Sequence, residues 1–433
     1  MQIALRLRER SAGESAQLYN AASGLLSDRW IQLALCVLVF FIISAPQYLW
    51  PLFVVPLLKK YAVRLSELQI VFSVVVVCMT FVTPFAGQLH DRYRTKWIIA
   101  AGVLICSGSW VLASFVNSVL ALYLVYGVLG GLGAGIAYIG CTGLIQKRFV
   151  DKRGLATGIL MSGYAVGPLV TTYFVSNAVA AAGVETTLFR FGLLFAAVGF
   201  IVVCGLKDPR MIAATSAQRV SAQHGASTAE MLREPVFWLM FAMMAMTTTC
   251  GMMVTSNIAV IAKEYGVDGK ILFMGISTVP LALMLDRCTN GLSRILFGSL
   301  SDVMGRENTL GLAFGLEALF MLLWLTQMSN PVQFVILSGL VFLAWGELFS
   351  IFTAMCTDTF GERNASVNYG CLYVSVGIGS IFGGPVAALW RESAGSWTPV
   401  FFAIAALDAL TAILALTLLK KMRRSYRYGG SHA

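Results

Sequence analysis

Apolar residues along this chain fall in long runs separated by short polar or charged connections, and the run length carries the first structural message. Taking about 20 apolar residues as one crossing of a hydrocarbon layer, spans are predicted near 31–55, 67–86, 97–115, 119–144, 154–180 and 188–206. After a polar break, six more are predicted near 236–262, 271–297, 309–328, 332–356, 366–390 and 397–419. The connections leave no room for a domain outside the membrane, and an even number of crossings puts both ends on one side. The pattern therefore predicts an all-α integral membrane protein of twelve transmembrane helices.

The pattern also repeats. The decapeptide GQLHDRYRTK at 87–96 returns, degraded, as GSLSDVMGRE from Gly298. The same interval separates FVDKR at Phe149 from FGERN at Phe360, pairing Asp151 with Glu362 and Lys152 with Arg363. Two matches at one interval, both in charged connections between apolar spans, indicate one duplicated unit and two pseudo-symmetric six-helix bundles of parallel topology. The expected division is an N-terminal bundle with its tail at 1–206, a linker at 207–235, and a C-terminal bundle with a basic tail at 236–433. The linker is small and polar, and a short amphipathic interfacial helix is expected only at 228–233.

Composition narrows the class. With 433 residues, 58% of them apolar, 12% charged and 41 glycines, the chain suits a multi-span membrane protein and not a soluble enzyme. The net charge of +10 raises nucleic acid as a partner. The basic residues, however, lie in tails and alternate connections instead of one continuous stripe, so no nucleic-acid partner is expected. By the positive-inside rule, both termini and the charged repeats are then cytoplasmic. Residues 1–29 carry Arg6, Arg8 and Arg10 with no apolar core before a cleavage site, so the first span is expected to act as the insertion signal.

Cys36, Cys78, Cys106, Cys141, Cys204, Cys250, Cys288, Cys356 and Cys371 are scattered singly without metal-ligand spacing, which predicts free, buried thiols and no metal. The histidines at 90, 224 and 432 lie in connections or tails, and no HExxH, GxSxG or Walker A sequence occurs. Neither enzymatic activity nor a cofactor is expected.

Candidate chemistry comes from ionisable groups inside the spans, where they are costly and point to function. These are Asp286, Arg287 and Arg294 in span 8, Glu317 in span 9, Glu347 in span 10 and Asp408 in span 12. Arg287 and Arg294 are seven apart, which returns to within about 20° of the same helix face. A guanidinium stays charged and its planar fork suits a carboxylate, so the expected substrate is a small organic anion. Two bland readings stand beside this one: Arg294 snorkels to the surface because Gly298 opens the next connection, and Asp286 merely neutralises Arg287. Polar and aromatic residues suited to an anion site are Gln47, Tyr48, Gln69, Tyr138, Tyr164, Trp345 and Tyr373. In span 4, GVLGGLGAGIAYIG from Gly127 predicts close backbone approach to neighbouring helices.

The decapeptide, through Gly87, Leu89, Asp91, Arg92, Arg94 and Lys96, resembles the signature loop of the major facilitator superfamily, and its echo keeps Gly298, Leu300, Asp302, Gly305 and Arg306. That resemblance implies the major facilitator fold, a loop joining helices 2 and 3 on the cytoplasmic side, and a conformational latch at Gly87, Asp91, Arg92, Asp302 and Arg306. It also implies a peripheral span 12, so Asp408 is expected to be a packing or interfacial group. A helix-ending glycine followed by a positive-inside loop is the generic alternative. In span 5, Gly154, Gly163, Gly167 and Pro168 resemble the superfamily's antiporter signature, though Thr171 and Thr172 replace its closing glycines; a close-packed, proline-kinked helix explains the same residues.

SAPQYLW at Ser44, FVDKRGLATG at Phe149, NGLSR at Asn290, AWGELF at Ala344 and NYG with SIFGG after Asn368 together resemble the oxalate:formate antiporter family. In that family an arginine of span 8 and a lysine of span 11 each meet one carboxylate of oxalate inside a cage of glutamine, tyrosine and tryptophan. The resemblance places the arginine on Arg294 and the cage on Gln47, Tyr48, Gln69, Tyr138, Tyr164 and Trp345. The lysine position holds Val376, and an aromatic of span 10 is Phe349. Either Arg287 is the second cation, or the substrate is a monocarboxylate such as formate, glyoxylate, pyruvate or lactate, which is the preferred reading.

Monocarboxylate transporters, more distant relatives, place an aspartate where this chain has Asn290, so a proton-coupling role falls instead to Asp286 or Glu347, where desolvation favours the neutral acid. The expected protein is a secondary active transporter of small organic carboxylates working by alternating access. It is expected to act as a monomer in the lipid bilayer, with a proton or a counter-transported anion as its coupling partner. The alternatives are a proton-coupled monocarboxylate symporter and a multidrug exporter.

Overall fold

The computed structural model describes residues 28–92, 95–149, 153–207, 225–361 and 364–429. Nearly all of it is helical, as a solvent without hydrogen-bonding groups requires, because each backbone amide must find its partner within its own segment. Among the described residues, ten helices are long and apolar enough to cross a membrane. One of these, ending at Gly205, counts twice: the helix Arg153–Gly205 bends at Gly183, whose φ of 79° only glycine adopts freely, and so supplies spans 5 and 6. The twelfth crossing is Thr278–Met304, too polar to register by hydropathy because it carries Asp286, Arg287 and Arg294.

The first span is Arg29–Ile43 followed by Pro51–Tyr61. Spans 2, 3 and 4 are Leu65–Arg92, Thr95–Ala113 and Val119–Leu122 running on into Gly130–Arg148. In the second half, span 7 is Pro235–Glu264, span 8 Thr278–Met304 and span 9 Arg306–Thr326. Span 10 is Pro331–Trp345 plus Leu348–Phe360, span 11 begins as Ala365–Ile381 and span 12 as Thr398–Leu414. The halves meet where span 2 packs on span 11, span 5 on span 8, and span 1 on span 7.

Span 4 bears out its glycine pattern. A Cβ on Gly131 would strike the carbonyl of Val75 in span 2, and one on Gly133 the amide of Cys106 in span 3. The helix is thus wedged between two neighbours at backbone distance, an association that lipid favours through packing and not through hydrophobicity. Gly163 and Gly167 of span 5 press likewise on Val37 and Phe41 of span 1, with Pro168 within the helix, which matches the close-packed reading of that motif.

Several boundaries differ from expectation. Gly87 and Gly298 do not end their helices: span 2 continues to Arg92 and span 8 to Met304, where Gly305 at φ 87° breaks it. Polar side chains are no obstacle to a helix leaving the hydrocarbon layer, so hydropathy alone stops both spans too early. Residues 271–277, expected in span 8, form a small hairpin instead. Ile271–Phe273 pairs antiparallel with Ile276–Ser277 across Met274 and Gly275, both at positive φ.

The short helix expected at the end of the linker is Thr228–Met231, begun by a capping box in which Ser227 and Glu230 satisfy each other's backbone amides. The linker residues 208–224 lie outside the described residues. All nine cysteines are free, but Cys204 and Cys288 are exposed, correcting the expectation that every thiol is buried; they sit on outward faces of their helices.

Of the expected latch, Gly87, Asp91 and Arg92 lie on the helix of span 2, but the side chains of Asp91 and Arg92 and the surroundings of Gly87 are outside what is described. The second copy is described: Arg306 pairs with Asp302 at 2.7 Å and with Asp358 of span 10 at 3.3 Å, and it also donates to Ser301.

Candidate functional site

Two helix interruptions shape the centre of the molecule. In span 1, Pro46 and Pro51 have no amide proton to offer, and the helix divides around the single turn Ala45–Tyr48. This break turns Gln47 and Tyr48 inward. Span 10 divides at Gly346 and Glu347, and a Cβ on Gly346 would lie 2.6 Å from the carbonyl oxygen of Asn290. Span 10 can therefore lie directly on span 8, one turn from Arg294.

A small cavity of about 20 Å³ lies between the halves, lined by Gln47, Tyr48, Tyr138, Met161 and Tyr164 from the first half and by Arg294, Phe349 and Tyr373 from the second. Its wall is aromatic. Tyr138 stacks on Phe40 at 5.0 Å and on Tyr373 at 6.1 Å, while Tyr164 meets Tyr138 edge-on at 5.7 Å and Tyr48 at 5.6 Å. The hydroxyl of Tyr164 donates to Gln47 Oε1 at 3.0 Å, and that of Tyr138 to Met161 Sδ at 2.9 Å.

The one cationic side chain in this lining is Arg294. Its Nη1 donates to the carbonyl of Met161 in span 5 at 2.9 Å, and Nη2 reaches Asn290 Oδ1 at 3.3 Å. Both partners are neutral. Nε is buried with no hydrogen-bond partner among the described residues, and the guanidinium carbon lies 5.1 Å from the Phe349 ring centroid. Among the described residues no carboxylate comes within ion-pair distance of it. A charge held in a low-dielectric compartment without a counter-ion is poised to receive an anion. Against the snorkelling alternative, the guanidinium points to Met161 of span 5 and back to Asn290, one turn earlier in its own helix.

The structure thus gathers six of the eight residues named from sequence, Gln47, Tyr48, Tyr138, Tyr164, Arg294 and Tyr373, into one lining. The other two lie elsewhere. Gln69 accepts from Trp50 Nε1 at 2.9 Å and donates to Ser256 O at 2.7 Å and to Asn257 Oδ1 at 3.0 Å, so its amide is fully engaged in tying span 2 to span 7. Trp345 donates to Thr247 O at 2.9 Å and packs on Gly251, reaching the cavity only through its edge-on contact with Phe349 at 5.3 Å. Met161 was not foreseen; a methionine in an apolar span carries no sign that its carbonyl will face an arginine.

Arg287 is fully buried but not part of the lining. Its guanidinium lies against the rings of Tyr48 and Phe342, and Asp286 is not within ion-pair distance of it. Asp286 and Glu347 are likewise fully buried, with carboxylate oxygens that find no hydrogen-bond partner among the described residues. Asp408 is also wholly buried, inside the C-terminal bundle and not at an interface with lipid or water.

Toward the end of the molecule where span 2 begins, the halves are tied further. Ser66 donates from both its amide and its hydroxyl to Glu392 at 2.8 Å, and Ser73 donates to Ser380 O at 2.7 Å.

Comparison with known proteins agrees with this architecture. The description of the Major Facilitator Superfamily matches residues 33–285 and 288–429. The chain is 28% identical over 404 residues to the oxalate:formate antiporter of Oxalobacter formigenes, covering 93% of this chain and 94% of that protein. It is 35% identical over 101 residues to monocarboxylate transporter 2 of Mesocricetus auratus, a match confined to 23% of this chain and 21% of that one. The solved structure of the nucleoside transporter NupG superimposes with a TM-score of 0.72 at 13% identity, covering 89% of this chain and 99% of that one. Twelve helices in two bundles and a profile that matches almost from end to end lead to one conclusion: this chain is an integral membrane transporter of the Major Facilitator Superfamily.

Proposed function

We propose that this protein is a secondary active transporter of small organic carboxylate anions, preferring a monocarboxylate, and that Arg294 is the residue that holds the carboxylate. The observation carrying this reading is a guanidinium in an aromatic cavity between the halves with only neutral partners. Tyr48, Tyr138, Tyr164, Tyr373 and Gln47 supply a polar aromatic cage around it. The similarity to an oxalate:formate antiporter supports the substrate class.

A monocarboxylate is favoured because the lining holds one cation. Val376, where that family carries its lysine, is buried and aliphatic, and Arg287 stands behind the Tyr48 ring. A multidrug exporter of cationic compounds is disfavoured by the same cation and by the absence of a carboxylate from the lining. The ties among Ser66, Glu392, Gln69 and Asn257 support a state closed at one end of the cavity, as alternating access requires.

The remaining parts follow the same reading. Residues 1–206 and 236–433 are the moving units, 207–235 their cytoplasmic connection, and both tails lie in the cytoplasm. Gly87, Asp91, Arg92, Asp302 and Arg306 form the latch, with no catalytic group involved. The test is uptake of a labelled carboxylate panel into proteoliposomes loaded with unlabelled anion. Saturable exchange of monocarboxylates is expected, and its absence for every carboxylate would end the proposal.

A further inference from the structure

The C-terminal bundle contains a second polar centre. Cys250 of span 7, Glu317 of span 9 and Asp408 of span 12 bring their ligand atoms within 4.8 Å of one another, and all three are fully buried. None of the four carboxylate oxygens of Glu317 and Asp408 accepts from a nitrogen or oxygen donor among the described residues, the Cys250 thiol being the one donor that faces them there, and neither carboxylate has an ion-pair partner there. A third buried acid, Glu347 of span 10, stands within electrostatic reach of both, its oxygens also without a partner. Among the described residues, the titratable groups facing the pair are Cys250 from span 7 and Glu347 from span 10, and no basic side chain there is paired to any of them.

Adjacent carboxyl groups in an apolar interior cannot both be ionised without a compensating cation, so the cluster must draw positive charge from outside the chain. Protons and a metal ion are the two sources. One thiol and two carboxylates give too few oxygens for a hard divalent cation and one ligand fewer than a closed zinc site, whereas a carboxyl pair sharing protons needs nothing more.

The surroundings connect this pair to the cavity. Trp345 packs on Gly251, the neighbour of Cys250, and touches Phe349, which lines the cavity. Glu347 lies between Trp345 and Phe349 in sequence, at the helix break of span 10.

We propose that Glu317 and Asp408, assisted by Cys250, form a proton-binding site in the C-terminal bundle whose occupancy is coupled to anion exchange in the cavity. The proposal rests on the carboxylate-transporter reading and names its coupling ion. In the loaded state the pair holds two protons; on release one carboxyl gives its proton to water, and the resulting carboxylate remains beside its protonated partner.

Glu317→Gln with Asp408→Asn imitates the doubly protonated state. In proteoliposomes at equal pH, the double variant is expected to keep anion exchange within about two-fold of the wild type, while accumulation driven by a pH gradient falls about tenfold or more. Retained gradient-driven accumulation would overturn the proposal. So would a wild type that exchanges carboxylates but ignores a pH gradient, a result that leaves the substrate reading standing.

If no carboxylate is exchanged by the wild type, the substrate reading fails separately, and infrared spectra of the purified protein still test the site. A carboxylic-acid C=O band sensitive to deuterium is expected at neutral pH and should weaken in the double variant; an unchanged band overturns the proposal. Stoichiometric zinc in the purified wild type that is lost in Cys250→Ser would also overturn it, in favour of a metal site.

Discussion

The guanidinium carbon of Arg287, in the second half of the molecule, lies 4.1 Å from the ring centroid of Tyr48 in the first, and 4.5 Å from that of Phe342 on its other side. This cation is thus held between two aromatic faces, one of which also lines the cavity. A desolvated cation–π contact contributes about 2 kcal/mol. Tyr48→Phe, which keeps the ring, should leave the thermal stability of the detergent-solubilised protein nearly unchanged. Tyr48→Leu should lower it clearly. Equal melting of the two variants would show that the ring face does not hold Arg287.

Because Arg287 is separated from the cavity by that ring, Arg287→Gln should leave the apparent KM for a transported monocarboxylate within about three-fold of the wild type. Arg294→Lys keeps the charge and loses the planar fork, and should reduce kcat/KM at least about tenfold, equivalent to about 1.4 kcal/mol. Uptake assays at matched membrane abundance compare the two. The reverse ranking would move the anion site to Arg287.

The buried Val376 lies one turn beyond Tyr373 in span 11. An unpaired second carboxylate in this compartment costs several kcal/mol, so monocarboxylates should compete better than oxalate against the wild type. Val376→Lys should shift the preference toward oxalate. Competition by both classes measured on both proteins decides the matter, and strong oxalate preference in the wild type would contradict the monocarboxylate reading.

Gly346→Ala would place a methyl group 2.6 Å from the Asn290 carbonyl and 2.9 Å from Ser293 Cβ. Overpacking of this kind costs about 1–3 kcal/mol. Relief requires span 8 to move, and Arg294 moves with it. Transport should fall by a larger factor than the amount of folded protein in the membrane, as fluorescence-detected size exclusion and uptake together would show.

The Arg306 pairs with Asp302 and Asp358 lie near the surface, where exposed ion pairs contribute about 1 kcal/mol or less. Asp302→Asn should therefore leave stability almost unchanged while slowing turnover, and Asp91→Asn in the first copy of the motif should do the same. A large loss of equilibrium substrate affinity at unaltered turnover would contradict a latch.

Membrane crossing is legible along one dimension. A run of about 20 apolar residues meets the thickness of the hydrocarbon layer wherever it occurs, so spans, duplication and the glycine wedge of span 4 could be read from sequence. Hydropathy failed where helices outrun the layer, as at Arg92 and Met304, and where two positive-φ residues turn 271–277 back on itself. Chemistry was legible in part for the same reason: ionisable groups in apolar runs stand out, and Arg294 was found that way.

What sequence could not settle is which polar groups face one another. Gln47 and Gln69 were equal candidates, yet one helix break turns Gln47 into the cavity while Asn257 and Trp50 hold Gln69 away from it. Cys250, Glu317 and Asp408 come from three spans distant in the chain and meet through the rotation and crossing of packed helices. Those angles follow from side-chain interlocking among several helices at once, and no local pattern in any one of them records the result.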